Sequence, residues 1–290
     1  MRKDNLFYGK KSLVIDGCLF ELERPLVMGI LNLTPDSFYD GGRYFQEDAL
    51  LDRFRQMKKE GVDIIDVGAY STRPGAKPVS EEEEWERLQK GLDVIRQDDP
   101  EIPLSVDTFR SLVAERAVST YNVGMVNDIS GGDMDEDMFE TVARLGVAYV
   151  LMHMQGTPQT MQENPHYKHV VKDIIFLFSK KIHRLLELGV NDIILDPGFG
   201  FGKTIKHNYQ LLKGLRAFRE AGLPLMVGVS RKSMIWKLLD ITPGESLTGT
   251  VVLHTLALIE GADILRVHDV KAAREVIEIV EYWKKTELEG

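Results

Sequence analysis

The feature that most constrains how this chain can fold is an alternation of short apolar runs with longer segments of helical period, which occurs eight times. The runs are rich in β-branched residues, and their apolar residues are mostly continuous rather than alternating with polar ones, which is typical of strands buried on both faces of a parallel sheet. They span residues 26–31, 63–68, 103–108, 125–129, 147–153, 192–198, 225–230 and 262–268. Eight strand–helix units predict an α/β fold, specifically a (β/α)8 TIM barrel, with a doubly wound open sheet as the alternative.

Turn and capping residues add detail to this fold. Ser80 and Glu83 have the spacing of a capping box and predict the start of a helix. Ahead of the first unit, the runs SLVI and CLFELE flank Asp16-Gly17, which predicts a type I′ β-hairpin. We expect this N-terminal hairpin to close the bottom of the barrel. Because no linker or shift in composition divides the chain, residues 1–290 are expected to form a single domain.

Composition excludes several classes of protein. The chain has 36 Lys and Arg against 45 Asp and Glu, and a net charge of −9 disfavours a general binder of nucleic acid or anionic membrane. Cys18 is the single cysteine, which excludes an internal disulfide and a cysteine-rich zinc site and is typical of a reducing compartment. The sequence also has no signal-peptide core and no apolar stretch near the roughly 18 residues of a membrane helix. We therefore expect a cytoplasmic protein.

Polar or charged residues stand at or just after the carboxyl ends of nearly all the predicted strands. They include Asn32, Asp107, Asn127, His153 beside Met152, Asp196, the segment from Ser230 to Ser233, and Arg266 with His268. Any one of them has a plain alternative role as a helix cap or loop residue. In a closed barrel, however, all these ends face one side, where the strand-to-helix loops build active sites. The full set therefore favours a functional site.

Three loops have unusual compositions. LNLTPDSFYDGG (31–42) and GAYSTRPGA (68–76) follow the first two strands and are rich in Gly, Pro and polar residues, as covering loops tend to be. DPGFGFGKT (196–204) contains Gly-Lys-Thr, but Pro197 stands where a nucleotide phosphate loop needs its first glycine. We interpret its glycines as allowing the backbone and Phe201 to approach a flat ligand.

The ends of the seventh and eighth strands predict an anion site. In GVSRKSM, Ser233 and the N–H groups of a helix start suit an anion, and either Arg231 or Lys232 supplies positive charge. RVHD follows the eighth strand and places Arg266 and His268 nearby. Phosphate sites in barrels often lie in this region. The alternative is that these cations only pair with neighbouring carboxylates.

These segments also carry a family resemblance. The motifs LNLTPDSFYDGG, STRPG, SVDT, NDISGG, LMHMQGTP, DPGFGFGK, SRKS and RVHDV occur in one order over nearly the whole chain. Each is weak alone, but together they resemble the dihydropteroate synthase family of folate-biosynthesis enzymes. The resemblance implies a TIM barrel that joins 6-hydroxymethyl-7,8-dihydropterin diphosphate to p-aminobenzoate with Mg²⁺ as cofactor, and commonly a homodimer.

The resemblance implies a role for each matching residue. Those that hold the pterin are Asp107, Asn127, Met152, Asp196, Phe201 and Lys232. Asn32 is implied as the Mg²⁺ ligand, and Arg266 and His268 as the diphosphate contacts. The p-aminobenzoate site is implied for Phe38, Thr72, Arg73, Pro74 and Ser233. The residues expected to act in the reaction itself are Asp107, Lys232, Arg266 and His268.

One loop departs from the family pattern. Ala69 and Tyr70 replace the glycine and the acidic residue that the second loop commonly carries.

Two other functions are alternatives. A pterin-binding methyltransferase would share the carboxylates but has no need of STRPG or the anion motifs. A non-catalytic pterin-binding paralogue would be favoured by loss of Asn32, Lys232 or Arg266, and all three are present.

Two of the remaining histidines and the last helix are candidates for further sites. His166 and His169 are spaced three apart but flank a proline-containing loop, so a zinc site is not expected. Val276, Ile279, Val280 and Trp283 define an apolar face of the last helix, which we interpret as packing on the barrel or forming a dimer surface.

Overall fold

A computed structural model describes residues 12–33, 43–71 and 78–287. Within these ranges the strands are β1 Ser12–Ile15, β2 Cys18–Glu21, β3 Leu26–Asn32, β4 Ile64–Gly68, β5 Leu104–Asp107, β6 Met125–Asp128, β7 Ala148–Met152, β8 Ile193–Asp196, β9 Met226–Val227 and β10 Ile264–Val267. The α-helices are α1 Arg43–Lys59, α2 Glu81–Asp98, α3 Ser111–Tyr121, α4 Met138–Leu145, α5 Val170–Glu187, α6 Ile205–Lys213, α7 Ser233–Leu239, α8 Leu247–Ile259 and α9 Val270–Lys285. Two 3-10 helices span Leu215–Ala221 and Pro243–Glu245.

Strands β3 to β10 form the predicted barrel. They are parallel and lie in the order β8-β7-β6-β5-β4-β3-β10-β9. The two ends of this row meet, because Leu195 of β8 bridges Leu225, just before β9, and its N–H donates to Pro224 O at 2.9 Å. The open sheet is therefore excluded, and the (β/α)8 prediction is confirmed.

The seventh predicted strand is shorter than expected. The sequence predicts a strand over residues 225–230, but the ladder of β9 holds only Met226 and Val227. The backbone then turns, with Arg231 in the left-handed region at φ 55° and Lys232 N–H donating to Val229 O at 3.2 Å. The residues after Val227 therefore enter the site as a loop.

The predicted capping box forms only in part. Ser80 Oγ accepts a hydrogen bond from Glu83 N–H at 3.2 Å and caps α2. The Glu83 side chain does not return to Ser80, because it pairs with Arg87 one turn further along the helix. The sequence spacing located the helix start but not the partner of the glutamate.

The hairpin β1–β2 closes the lower end of the barrel. Asp16 and Gly17 both have positive φ, at 53° and 68°, as a type I′ turn requires. Leu13 and Ile15 are completely buried against an interior cluster that includes Met28, Ile64, Met125, Ile194 and Ile264. The barrel interior is thus apolar at its lower end and sealed by the hairpin.

The outer core lies between the strands and the surrounding helices, and it includes Phe54, Leu88, Val142 and Phe218. No helix within the described ranges combines the length and apolar character needed to cross a membrane. The expectation that residues 1–290 form one domain stays a prediction.

Gly124 allows the hairpin to reach the barrel. A Cβ added there would lie 2.2 Å from the backbone nitrogen of Asp16, so Gly124→Ala must displace the hairpin. We expect this substitution to lower the free energy of unfolding by about 1–3 kcal/mol in urea titrations. The matched control is Gly244→Ala, where the nearest atom to an added Cβ lies 3.9 Å away. Equal stability of the two variants would contradict this account of the hairpin contact.

Candidate active site at the carboxyl end of the barrel

The barrel interior changes from apolar to polar within two residues along several strands. Residues two apart in a strand face the same side, so the residue after next points into the same interior one step higher. Ile64 is followed in this way by Asp66, Met125 by Asn127, Ile194 by Asp196 and Ile264 by Arg266. A charged layer therefore lies directly on the apolar layer that the hairpin seals.

Strand register brings the predicted residues of the first strands into one row. Asn32 pairs with Gly68, Gly68 with Asp107, and Asp107 with Asn127 across neighbouring strands. Gly68 has no side chain to crowd Asp107: a Cβ added at Gly68 would lie only 3.2 Å from the Cβ of Asp107. On the other side of the barrel, Met152 pairs with Asp196. The residues predicted from the strand ends thus converge on one mouth.

Arg266 is the centre of this polar layer. Its Nε donates to Asp66 Oδ2 at 2.7 Å, and one of its terminal nitrogens donates to Asp107 Oδ2 at 2.5 Å. Asn127 Nδ2 donates to the same Asp66 oxygen at 3.0 Å. Asp66 is completely buried, whereas the side chains of Arg266 and Asp107 each keep 18% of their surface exposed. The ion pair is therefore fixed below and open to a ligand above.

The charges of this layer perturb one another. Burial raises the pKa of Asp107 to about 7, although Arg266 acts to lower it, and the nearby Asp66 carboxylate adds to the rise. The pKa of Arg266 is raised because the attraction of Asp66 and Asp107 outweighs its own burial. Asp107 can therefore change charge near neutral pH, while Arg266 stays cationic.

Sequence reasoning missed Asp66. It stands in the middle of the run DIIDVG rather than after it, whereas the predicted site rests on residues at the strand ends. Its signal was nevertheless present, because a carboxylate inside a buried strand is costly unless a cation accompanies it. That cation is Arg266, 200 residues further along the chain.

Lys232 lies between the glycine-rich loop and the pocket. Its Nζ donates to Phe199 O and lies 4.5 Å from the centre of the Phe201 ring. Burial lowers the pKa of Lys232 to about 8, against the attraction of Asp196. Burial also raises the pKa of Asp196, and Lys232 is the strongest influence in the opposite direction. The two predicted pterin contacts are thus coupled to each other.

An apolar wall borders these charges. Met152 is buried in a cluster with Phe109, Met154 and Met161, and Phe201 packs against it. Met152 and Phe201, both predicted as apolar contacts of the ligand, therefore lie together. Aromatic and thioether side chains of this kind suit a flat ring.

The turn after β9 resolves which cation faces the site. Arg231 makes a bidentate ion pair with Asp269, at 2.8 and 2.6 Å, so its charge is already paired. Lys232 instead contacts the glycine-rich loop beside the pocket. Ser233 begins α7, and Ser230 Oγ lies 3.1 Å from Nδ1 of His268. His268 thus lies at the same end of the barrel as Lys232.

Some predicted residues fall outside the described ranges. Phe38, Thr72, Arg73 and Pro74 belong to residues 34–42 and 72–77, so their predicted roles stay predictions. Asn32, the predicted Mg²⁺ ligand, is the last residue of β3. Among the described residues, no group of three or more His, Cys, Asp or Glu side chains is arranged to hold a metal ion.

Comparisons with known proteins agree with this fold. A family model described as "Pterin binding enzyme" matches residues 28–268. The dihydropteroate synthase of Haemophilus influenzae is 41% identical over 273 residues, covering 93% of this chain and 96% of that protein. The dihydropteroate synthase of Escherichia coli is 43% identical over 275 residues, covering 93% of this chain and 95% of that protein. The chain belongs to the pterin binding enzyme family.

Solved structures from this family give the same fold. A Yersinia pestis dihydropteroate synthase, in complex with a sulfonamide drug, superposes with a TM-score of 0.88 at 41% identity and covers 95% of this chain and 100% of that one. A Xanthomonas albilineans dihydropteroate synthase with 4-aminobenzoic acid has a TM-score of 0.88 at 37% identity and covers 96% of this chain and 99% of that one.

The departure at Tyr70 has a structural explanation in this family member. Its ring packs edge-on against Phe109, with centroids 5.1 Å apart, and the Arg110 guanidinium lies 5.5 Å from its centre. Its hydroxyl accepts a hydrogen bond from Gln159 Nε2 at 3.3 Å. Tyr70 thus joins the loop after β4 to the segment after β7.

Removing Arg266 should destabilise this pterin binding enzyme in a pH-dependent way. Arg266→Met leaves two neighbouring carboxylates without their cation, so we expect the free energy of unfolding at pH 8 to fall by about 3–5 kcal/mol. The loss should be smaller at pH 6, because one carboxyl then holds a proton; the pKa of Asp107 is already about 7 with Arg266 present.

Denaturant titrations at both pH values check this expectation. Arg216→Met is the matched control, because Arg216 is 69% exposed and pairs with Glu260 at 3.6 Å. It should change stability by less than about 1 kcal/mol at either pH. A loss for Arg266→Met that is equal at pH 6 and pH 8 would contradict the shared-charge description of the site.

Proposed function

We propose that this chain condenses 6-hydroxymethyl-7,8-dihydropterin diphosphate with p-aminobenzoate to give 7,8-dihydropteroate and diphosphate. The observation that carries the proposal is the polar layer at the barrel mouth, where Asp107, Asn127, Asp196, Lys232 and Arg266 converge. The full-length similarity to dihydropteroate synthases supports it. The activity is that of a transferase in folate biosynthesis.

The polar layer has the hydrogen-bonding character that an aminopyrimidinone ring needs. Such a ring presents adjacent N–H donors and a carbonyl acceptor. Because the Asn127 amide donates its NH₂ to Asp66, its oxygen faces the opposite way and is available to an N–H group. Asp107 and Asp196 supply further acceptors, and Lys232 supplies the donor for the carbonyl. Phe201 and Met152 cover the flat ring.

Departure of diphosphate requires positive charge at the mouth. Arg266 supplies a permanent cation, and we assign His268, which contacts Ser230, to the same task. Asn32 fits a Mg²⁺ ion, since an amide oxygen is a hard donor and magnesium takes its remaining ligands from phosphate and water. Bound there, Mg²⁺ would neutralise charge on the leaving diphosphate.

The reaction is a substitution at the exocyclic CH₂ of the pterin. The electron-rich dihydropterin can share positive charge at that carbon, so we propose that the C–O bond breaks before the amine attacks. Asp107, when ionised, stabilises the cation electrostatically. No strong base is needed before attack, because an aromatic amine is already neutral at pH 7, and its surplus proton passes to water or diphosphate afterwards. Phe38, Thr72, Arg73, Pro74 and Ser233 are proposed to shape the p-aminobenzoate site.

The deciding experiment follows diphosphate release with and without p-aminobenzoate and Mg²⁺, and identifies dihydropteroate by mass. We expect the condensation product only when both substrates are present.

Lys232→Ala should raise the KM for the pterin substrate by roughly tenfold or more, because the ring carbonyl loses a charged donor. Lys237→Ala changes an exposed lysine of α7, the helix that follows Lys232, and should behave as wild type.

Two outcomes would redirect the proposal. Absence of dihydropteroate under every condition would favour the non-catalytic pterin-binding paralogue. Methyl transfer from methyltetrahydrofolate to a corrinoid would favour the methyltransferase. Wild-type kinetics in Lys232→Ala would contradict the assignment of the pterin pocket.

The chain is also proposed to act as a homodimer. Among the described residues, eight of the fourteen exposed large apolar side chains lie on α7, α8 and α9, including Ile279, Tyr282 and Trp283, which are 70%, 79% and 63% exposed. Val276 and Val280 of α9 are buried, so this helix packs on the barrel with one face and presents another outward. A second copy of the chain is the proposed partner.

We also propose a cytoplasmic location, based on the single cysteine.

Sedimentation velocity tests the dimer. Trp283→Glu should shift the protein toward monomer at micromolar concentration, because it places charge in an apolar interface. Phe176→Glu on α5, which is 61% exposed away from these helices, is the control and should leave the assembly unchanged. A monomeric wild type, or an unaffected Trp283→Glu variant, would contradict this interface.

A further inference from the structure

The glycine-rich loop after β8 is held by side chains along its whole length. Each carbonyl from residue 198 to residue 203 accepts a side-chain hydrogen bond. The donors are Lys203 to Gly198 and Phe201, Lys232 to Phe199, Gln162 to Gly200, Tyr167 to Gly202, and Asn208 to Lys203. Backbone without regular structure must satisfy its polar groups in this way when it is buried. The position of the loop therefore depends on these donors.

Lys203 makes more of these contacts than any other donor. Its ammonium lies 2.8 Å from Gly198 O, 3.0 Å from Phe201 O, 3.3 Å from His153 O and 3.0 Å from His153 Nδ1. Only 3% of the residue is exposed. Two of the acceptors belong to the loop and two to the residue that follows β7, so one ammonium fastens the loop to the neighbouring strand.

His153 is suited to act as an acceptor. Burial lowers its pKa to about 2, and Lys203 adds to that shift, so the imidazole stays neutral. Nδ1 then offers a lone pair to Lys203. The loop backbone also lies close to His153, because a Cβ added to Gly198 would lie 1.9 Å from His153 O. The loop thus packs directly on the end of β7.

The fastened loop supplies contacts to three predicted pterin residues. Gly198 N–H donates to Asp196 Oδ1 at 2.8 Å, Phe199 O accepts from Lys232, and Phe201 places its ring beneath the Lys232 ammonium. Burial lowers the pKa of Lys203 well below its usual value, and the attraction of Asp196 opposes that shift. When Lys203 is protonated, it is in turn among the cations that lower the pKa of Asp196. Displacing the loop would therefore shift an acceptor, a donor and an apolar wall together.

We propose that Lys203 is a positioning residue of the pterin pocket, whose buried ammonium fastens the loop 198–203 to the end of β7 and faces the charge of Asp196. Lys203 does not touch the pterin in this proposal; it acts through Asp196, Lys232 and Phe201. The inference rests on the proposed pterin pocket and adds a residue for which the family resemblance implied no role.

Four variants test it. Lys203→Met removes the donors and the charge, Lys203→Gln keeps donors without charge, and Tyr167→Phe removes an uncharged fastening of the same loop. Lys206→Met changes an exposed lysine three residues away and is the control. The probe is 6-hydroxymethylpterin, whose binding to each folded variant is followed by fluorescence between pH 4.5 and pH 9. The KM values of both substrates are measured alongside.

Positioning and charge give different expected results. Lys203→Met should weaken pterin binding by roughly tenfold to a hundredfold at its best pH and raise the KM for the pterin substrate more than that for p-aminobenzoate. In both Lys203 variants the loss of binding on acidification should begin about half a pH unit higher, because Asp196 loses a neighbouring cation and takes up its proton more readily. Tyr167→Phe should weaken binding without moving that pH, and Lys206→Met should change neither.

Several results would overturn the proposal. Folded Lys203 variants with wild-type affinity would do so, and so would weakened binding with an unmoved acid limb in both variants, which would mean only a general structural role. If neither Lys203 variant folds, unchanged pterin affinity in Tyr167→Phe would show that fastening of the loop does not set the pocket. Failure of the pocket itself is distinguishable: wild type would not bind the pterin, or Asp196→Asn would bind it as wild type does.

Discussion

The active site of this protein depends on one buried ion pair, in which Arg266 is shared between Asp66 and Asp107. A carboxylate in the centre of a barrel is strongly disfavoured without a cation, and a cation there is disfavoured without its carboxylates. The pair also sets the orientation of neighbouring side chains, because Asp66 accepts hydrogen bonds from both Arg266 and the Asn127 amide. The groups proposed to face the ligand are therefore oriented by Asp66, which is completely buried.

The rest of the mouth extends this charge balance. Among the described residues of the polar layer and the adjoining loop, three acidic side chains, Asp66, Asp107 and Asp196, lie among three basic ones, Arg266, Lys232 and Lys203. Burial shifts Asp107, Asp196, Lys232 and Lys203 toward their neutral forms. The overall charge of −9 is thus a poor guide to the local field. A small anion is governed by the cations within a few ångströms, whereas a polyanion is governed by the whole surface.

Much of the fold was predictable because its signals are local. Apolar runs, the Asp16-Gly17 turn and polar residues at the strand ends each appear within a few residues of sequence, and the structure confirms the barrel and the hairpin that they indicate. What the sequence could not show depends on partners distant in the chain. The Glu83 side chain pairs with Arg87 rather than with the cap residue Ser80, and Arg231 pairs with Asp269. Lys203 stands in a segment that only resembles a phosphate motif, and its role depends on four acceptors, two of them from His153.

The hairpin at the lower end has a consequence for how ligands reach the interior. Leu13 and Ile15 fill the lower end of the barrel, so within the part of the chain that the structure describes this end offers no path to the polar layer. A ligand that reaches Arg266 must therefore approach it from the carboxyl ends of the strands, and it must leave by the same route.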